Sequence, residues 1–453
     1  MASAKIQLKR LPLENIRVVE CATAWAIPCA GKLLADLGAE VIKVESLTRL
    51  DDARPGYYAD NDPSGDYWEK GAQYLGANSN KHHFTLNLNT PQGIRIFKEL
   101  VSVSDVVAEN FTPRVMKGFG LAYEELRKVR PDLVMLSSTG FGHQGPWRDY
   151  SAFGWGLEPM VISHLTGRPD RPPLNSAIPI PDMAGALHAA FAIMAALQHR
   201  RRTGQGQWVD MSQYEIGVHF IARAIMDYTL NGRVQGRLGN RHLHMCPHNA
   251  YRCRGNDMWI AIAVSNEGEW QGLLKAMGDP AWGRDPRFAD TLARKRHEDE
   301  LDALIEGWTQ AQDHYELMHL LQRHGVPAGA VLTSKEIHAD PHVRARGYFK
   351  KGRHEVVGER LFHGTWSRLT VTPGQLRWPP QIMGEANGRV LLEVLGHSAR
   401  DLDALTEGGV IGTRPLPSAL RPPTGVVPME RWIEMGTMRE YDPDYRKTLR
   451  LKE

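Results

Sequence analysis

The sequence predicts an α/β fold built on a mostly parallel sheet. Short β-branched runs alternate with amphipathic stretches through the first half of the chain, which is the pattern of βα units. A helix-start pair, Thr90-Pro91, opens one of the amphipathic stretches, since proline suits the first helical turn. The composition is that of an ordinary globular protein, 42% hydrophobic and 24% charged over 453 residues, and it excludes collagenous, disordered and membrane-spanning chains.

Taken in order, the candidate strands are 16–20, 40–44, 105–108 and 133–136, with helices at about 28–37, 91–103 and 121–129 between them. An Ala-rich apolar stretch, 183–202, follows at helical spacing and ends in Arg200, Arg201 and Arg202, where cations suit a helix C-terminus. Thr203-Gly-Gln-Gly206 breaks it. A short strand at 207–210 and a long helix at about 212–230 come next, stopped by Asn231-Gly232. From Leu238 the character changes to a His-rich stretch, a strand in MWIAIAV, and helices near 267–277 and 298–323. Short alternating segments follow Pro327, and the Pro-rich stretch from about 413 ends in a charged tail expected to wrap a surface or a partner.

The charge balance, 55 Lys and Arg against 52 Asp and Glu, gives a net +3. That is too little for the dense basic footprint of a nucleic-acid binder, and it leaves room for a single anionic small molecule. The N-terminus lacks the apolar run of a signal peptide and no window holds about 18 uninterrupted apolar residues. The expectation is a cytoplasmic protein with no membrane and no nucleic-acid partner. Cys21, Cys29, Cys246 and Cys253 are too sparse to staple such a chain and read as reduced thiols.

Neither GxGxxG nor a P-loop follows the first strand, so the usual phosphate cradles are missing. The sharpest local signal is Ile178-Pro-Ile-Pro-Asp182-Met-Ala-Gly185 at the head of the Ala-rich helix. A carboxylate there is expected to be held ionised by the helix dipole, as a carboxylate nucleophile requires; the same position also suits a plain N-cap. His242, His244, Cys246 and His248 share a face of an extended segment, but Pro247 and the surrounding arginines favour a polar loop, and no metal is expected. Ser137-Ser-Thr-Gly140-Phe-Gly142 after a strand offers backbone N–H groups to an oxyanion or phosphate. Lys81, His82 and His83 read as a solvated face or an anion contact.

Several of these pieces stand in a recognisable order. LPLENIRVVE, LLADLGAEVIKVE, NSNK with LNLNTPQG, ENFTPRVMKGFGL, SSTGFGHQGP, PDMAGALHAAFAIMAAL, RRRTGQGQWVDMS, and GVPAGAV with DPHVRARG together make the chain resemble a family III CoA-transferase of the CaiB/BaiF type from about residue 11 to 400. The resemblance implies that Asp182 is the nucleophile. It places Trp25, Ala26, Leu86, Asn110, Phe111, Thr112, Thr139, Gly140, Phe141 and Gly142 along the CoA and substrate site, with backbone oxyanion donors around Gly140 and Gly185. Where the family often has arginine this chain has Gly118, so Lys117 beside it is expected to meet the CoA phosphates.

The implied activity moves CoA from an acyl-CoA donor, such as succinyl-CoA, to a carboxylic acid through aspartyl anhydride and aspartyl-CoA thioester intermediates. A coenzyme A thioester is then a substrate, and no cofactor is permanently bound. The implied architecture is a Rossmann-like large domain joined from N- and C-terminal parts, a smaller middle domain, and an interlocked homodimer or a heterodimer with a paralogous subunit. On this reading residues 1–230 form the first part of the large domain, 235–330 the small domain, 331–412 the linker and return, and 413–453 an extension. The alternatives are an acyl-CoA racemase or other isomerase of the same fold, and a non-catalytic subunit. A racemase of this fold carries a His in an AGHD-like segment where this chain reads Asp149-Tyr-Ser-Ala-Phe153-Gly.

Overall fold

A computed structural model describes residues 11–176, 178–423 and 427–452. The chain divides into two compact units, one of 1–161, 177–221 and 341–453, the other of 162–176 and 222–340.

In the first unit, six parallel strands lie in the order β3-β2-β1-β4-β5-β6: β1 (Arg17–Cys21), β2 (Glu40–Glu45), β3 (Lys81–Thr85), β4 (Val106–Glu109), β5 (Val134–Thr139) and β6 (Gln207–Ser212). Helices α1 (Ala26–Asp36), α2 (Ala72–Ala77), α3 (Pro91–Ser102), α4 (Pro113–Gly118), α5 (Tyr123–Val129), α6 (Gly154–Val161), α7 (Ile180–Thr203) and α8 (Gln213–Phe220) complete its first part. The alternation of side chains along each strand sends Val19, Ile42, Phe84 and Val107 to a core with α3, α4 and α5, and Val18, Val41, Val106 and Val134 to a core with α1 and α7. Residues from the C-terminal part, including Ala386, Val390 and Leu405, join the first of these cores.

Strand β3 corrects the sequence reading of Lys81, His82 and His83 as a solvated face or anion contact. Lys81 is fully buried and donates to both carboxylate oxygens of Glu20, at 2.9 and 2.8 Å; His82 is half-buried against the Trp378 ring. The outer edge of β3 is covered, because His83 N–H donates to Gln381 and Thr85 N–H to Asn387, each at 2.9 Å.

Helix α7 is long and apolar enough to cross a membrane by length and composition alone. Here it is a core helix, with Ala184, Ala186, Ala189, Ala190, Ile193 and Ala196 buried in the α1-side core. Its Ala-rich face lets it pack closely on α1.

The second unit holds an antiparallel sheet, β7 (His248–Arg252), β8 (Trp259–Ala263) and β9 (Ala328–Ala330), with α9 (Ala222–Asn231), α10 (Glu267–Ala276), α11 (Thr291–Arg296), α12 (Glu298–Thr309) and α13 (His314–Arg323). The helix predicted over 212–230 is two, α8 and α9, interrupted at Ile221. The one predicted over 298–323 is also two, because Asp313 accepts from the Tyr315 and Glu316 N–H groups and starts α13 afresh. Among the described residues no group of three or more His, Cys, Asp and Glu gathers as a metal site; Cys246 is buried in this unit's core and His242 stacks toward His248 at 5.3 Å.

A prediction follows from the close approach of α1 to Glu20. A β-carbon on Gly31 would stand 1.8 Å from Glu20 Oε2, so Gly31→Ala must expel a buried, paired carboxylate. The expected cost is about 3 kcal/mol, read as a lowered urea midpoint, whereas Gly118→Ala, which meets nothing within 4 Å, should leave the midpoint unchanged or slightly raised.

Candidate active site

The site forms where the C-terminal ends of the parallel strands meet the start of α7. The strand order reverses between β1 and β4, the crevice where ligands bind in open α/β sheets. Asn110 spans that switch point: its side-chain amide donates to Thr23 O at 2.8 Å and accepts from Thr23 N–H at 3.0 Å. The β1–α1 turn is thereby tied to the end of β4, and Ala24 within it takes a left-handed φ of 64°.

Asp182 lies in the first turn of α7, and Pro181 before it supplies a pre-set φ. The dipole was expected to hold this carboxyl ionised; burial, with no ionic partner contributing among the described residues, works against that and pushes its pKa up to about 6. Removing a carboxylate from water costs more here than the half-charge at a helix end returns. A carboxylate of this pKa is still mostly ionised at neutral pH and is a better nucleophile than an ordinary aspartate.

Two contacts join the turn of α7 that carries Asp182 to other sequence candidates. Trp25, at the N-cap of α1, donates its indole N–H to Met183 Sδ at 2.8 Å. Ala26 faces Gly185, where an added β-carbon would stand 3.8 Å from the Ala26 methyl. Gly185 was expected to offer an oxyanion donor, and the structure corrects this. It sits inside α7, so the helical i→i−4 ladder takes its N–H, and its lack of a side chain serves the approach of α1 and of Gln213.

Gly140 ends β5 so close to residue 152 that an added β-carbon would lie 2.6 Å from the Ala152 methyl, and its carbonyl accepts from Tyr214 N–H at 2.9 Å. Phe141 follows, packed against Trp147, Tyr150 and Tyr214. Gly142 has φ 80° and leads to His143, whose N–H donates to the Asp210 carboxylate at 3.0 and 3.1 Å. Thr139 Oγ1 is buried and has no hydrogen-bond partner among the described residues.

The remaining candidates make other contacts. Leu86 is fully buried in the α3-side core, so its side chain lines no open surface. Phe111 N–H donates to Glu109 at 2.8 Å; Thr112 is the N-cap of α4. Lys117 is exposed and borders a cavity of about 400 Å³ shared with Arg114, Arg148 and Glu109.

Sequence reasoning missed two residues here. Gly154 opens α6, and a β-carbon on it would stand 2.4 Å from Asp182 Oδ2 and 2.7 Å from Pro179 Cβ; its only signal was a glycine in the segment where a racemase carries its histidine. Glu109 is buried and its pKa is pushed up to about 7 by burial; its signal was a carboxylate closing the apolar strand VVAE.

Comparison with known proteins agrees with this architecture. The model of CoA-transferase family III matches residues 13–387. Succinyl-CoA–D-citramalate CoA-transferase of Chloroflexus aurantiacus is 37% identical over 88% of this chain and 98% of its own length. Succinate–glutarate CoA-transferase of Agrobacterium fabrum is 33% identical over 85% and 96%. The crystal structure of a CaiB/BaiF family protein from Brucella suis superposes with a TM-score of 0.77 at 32% identity, covering 85% of this chain and all of that one. The chain belongs to CoA-transferase family III. It is a CoA-transferase, and coenzyme A thioesters are its substrates.

Two predictions follow from the site. Gly154→Ala should displace the Asp182 carboxylate and lower kcat about 100-fold, the cost of roughly 1 Å of misplacement, in a protein whose circular dichroism is unchanged. Activity that needs the ionised form should fall about tenfold per pH unit below about 6, so the acid limb of log kcat/KM should break near 6 rather than near the ordinary 4 of an aspartate.

Proposed function

We propose that the enzyme transfers CoA from succinyl-CoA to a carboxylic acid by covalent catalysis at Asp182. The observation that carries this reading is a desolvated carboxyl with a pKa near 6, at a helix N-terminus and against the bare backbone of Gly154. The relatives whose names pair succinyl-CoA or succinate with citramalate and glutarate support the choice of donor.

In the first step an Asp182 oxygen attacks the thioester carbon of succinyl-CoA. The C–S bond breaks and CoA thiolate leaves an aspartyl-succinyl anhydride. The thiolate then attacks the Asp182 carbonyl, releasing succinate and forming an aspartyl-CoA thioester. The acceptor carboxylate displaces the thiolate to give a second anhydride, and thiolate attack on the acceptor acyl carbon releases the new acyl-CoA and the free carboxylate. Each step passes through a tetrahedral oxyanion. The turn at Gly140 remains the candidate donor site, and one such N–H lowers the barrier by about 3 kcal/mol.

Gly154 favours transfer over racemisation. The atoms flanking Asp182 there are backbone, whereas α-proton exchange needs a second acid–base group beside the carboxylate. An intact, desolvated Asp182 also favours a catalytic chain over a non-catalytic subunit.

Association into an interlocked dimer, homomeric or with a paralogous subunit, belongs to the same reading. It is supported by Leu187, Phe191 and Met194, which leave an exposed apolar strip along α7.

Incubation with succinyl-CoA and hydroxylamine should convert Asp182 to its hydroxamate, seen by peptide mass spectrometry, and Asp182→Asn should abolish both label and exchange. Labelling elsewhere, or undiminished exchange by the Asn variant, would overturn the mechanism.

A further inference from the structure

No described residue of α7, Asp182 included, lines the cavity of about 400 Å³ that Lys117 borders. Two of its walls, Met116 and Met135, belong to the α3-side core, whereas α7 packs into the core on the other face of the sheet. Glu109 stands at the buried end of the cavity and is only 1% exposed. Its Oε2 accepts from Phe111 N–H at 2.8 Å, but Oε1 is buried and has no hydrogen-bond partner among the described residues. His143 Nε2, on the same cavity wall, is buried and equally without one. It lies 3.9 Å from Glu109 Oε1, too far for a bond between the two. Buried polar atoms are nearly always bonded, so two open ones on the wall of one cavity mark the place of a ligand group.

Both groups are held in place. The His143 ring meets Trp208 edge-on at 4.9 Å, the Trp208 indole donates to Ser137 Oγ at 3.1 Å, and Asp210 holds the His143 N–H. Burial opposes charge on each, raising the Glu109 pKa to about 7 and lowering that of His143, so the pair suits a neutral polar group better than an ion. One proton shared between Oε1 and Nε2 leaves one donor and one acceptor, whichever atom carries it. At the cavity mouth the chemistry reverses. Arg114 and Lys117, three residues apart on α4, are exposed and have no ionic partner among the described residues. The two carboxylates of the mouth, Glu124 and Asp149, lie beside Arg127 and Arg148, at 3.6 and 3.2 Å.

A ligand that matches both ends has a neutral, flat head with a donor beside an acceptor, and an anionic tail. Adenine presents such a pair, its exocyclic amine next to a ring nitrogen, whereas the corresponding edge of guanine presents two acceptors. Met116, Met135 and Trp208 offer thioether and ring contacts to a purine, and arginine and lysine suit a phosphate. The volume is that of a small-molecule site. We infer that this cavity binds an adenine nucleotide, its base against Glu109 and His143 and its phosphate at Arg114 and Lys117, apart from the transfer site. The inference does not depend on transfer at Asp182, and it gives Lys117 a ligand other than the CoA phosphates.

Isothermal titration with AMP and with GMP, each with and without saturating CoA, tests the assignment. AMP should bind about tenfold more tightly than GMP, and filling the transfer site with CoA should leave its affinity unchanged. Glu109→Gln keeps an oxygen for Phe111 N–H but turns an amide N–H toward the cavity, where adenine offers its own amine. The preference for AMP over GMP should therefore fall about tenfold. Arg114→Ala, at an exposed position, should weaken both nucleotides about equally and leave the base preference intact. Ala122→Phe fills the cavity from its half-buried wall and should abolish AMP binding in a protein whose circular dichroism is unchanged.

No AMP binding, equal affinity for AMP and GMP, or an affinity that folded Glu109→Gln and Ala122→Phe leave unaltered overturns the assignment. AMP binding that disappears when CoA is present assigns the nucleotide to the substrate's own site and overturns it equally. Each of these outcomes leaves hydroxamate formation at Asp182, and the transfer reading with it, untouched.

Discussion

The first unit depends on a set of charges that its sheet buries against α1. Glu20 on β1 accepts from Lys81 on β3, and Lys43 on β2 lies 3.4 Å from the same carboxylate and 3.0 Å from Asp51. Burial opposes the charge on Lys43, but Asp51 and Glu20 hold its pKa above the ordinary lysine value. For Lys81 the balance tips the other way, and burial lowers it to about 8. A buried pair of this kind adds little net stability over apolar packing, yet removing one member strands the other in low dielectric. What the network secures is register. Glu20 and Lys43 are register partners and Lys81 lies on the same face two residues back along β3, so a shift by one residue would turn every charge into the opposite core.

That register reaches the site through a single loop. Lys43 also donates to Ala22 O at 2.9 Å, and Asp51 accepts from Ala24 N–H at 2.8 Å. The strained turn at Ala24 is thus clamped from the network on one side and, through Thr23, by Asn110 on the other. Trp25 and Ala26 follow directly and meet Met183 and Gly185 of α7. Asp182 is therefore positioned by charges on the sheet, although no charged group is among the causes of its own pKa shift. The Asp182 carboxyl stays desolvated while the polar groups that fix its place are satisfied elsewhere.

Much of this was legible in the sequence. Strands β1, β2, β4 and β5 carry apolar β-branched runs, and periodicity finds them within one to three residues. Asp182 and Gly185 stand out because prolines and a glycine bracket a helix start. Strand β3 was hidden, since KHHFT presents its polar residues to the buried network and reads as solvated unless the partner on β1 is known. Gly185 was visible one turn into the helix, but the neighbours its missing side chain admits, Ala26 and Gln213, depend on how α1 and α8 pack on α7, which periodicity does not show. Gly154 could not be found at all from spacing, because its significance is a distance to a residue 28 positions on.

The glycine at position 154 also connects the acid–base state of Asp182 to the type of chemistry it can do. Proton abstraction from an acyl-CoA needs a base on one face of the α-carbon and an acid on the other, and both must be held by side chains. Gly154 supplies neither on the side of Asp182 that it covers. Attack on a thioester needs only an ionised oxygen, access, and little water. Burial gives this carboxyl a pKa near 6, high enough to make it a stronger base than an ordinary aspartate and low enough to leave it charged at neutral pH. A side chain at 154 would crowd Asp182 Oδ2, and a polar one would also rehydrate it. The missing β-carbon and the raised pKa are two consequences of the same close, dry contact.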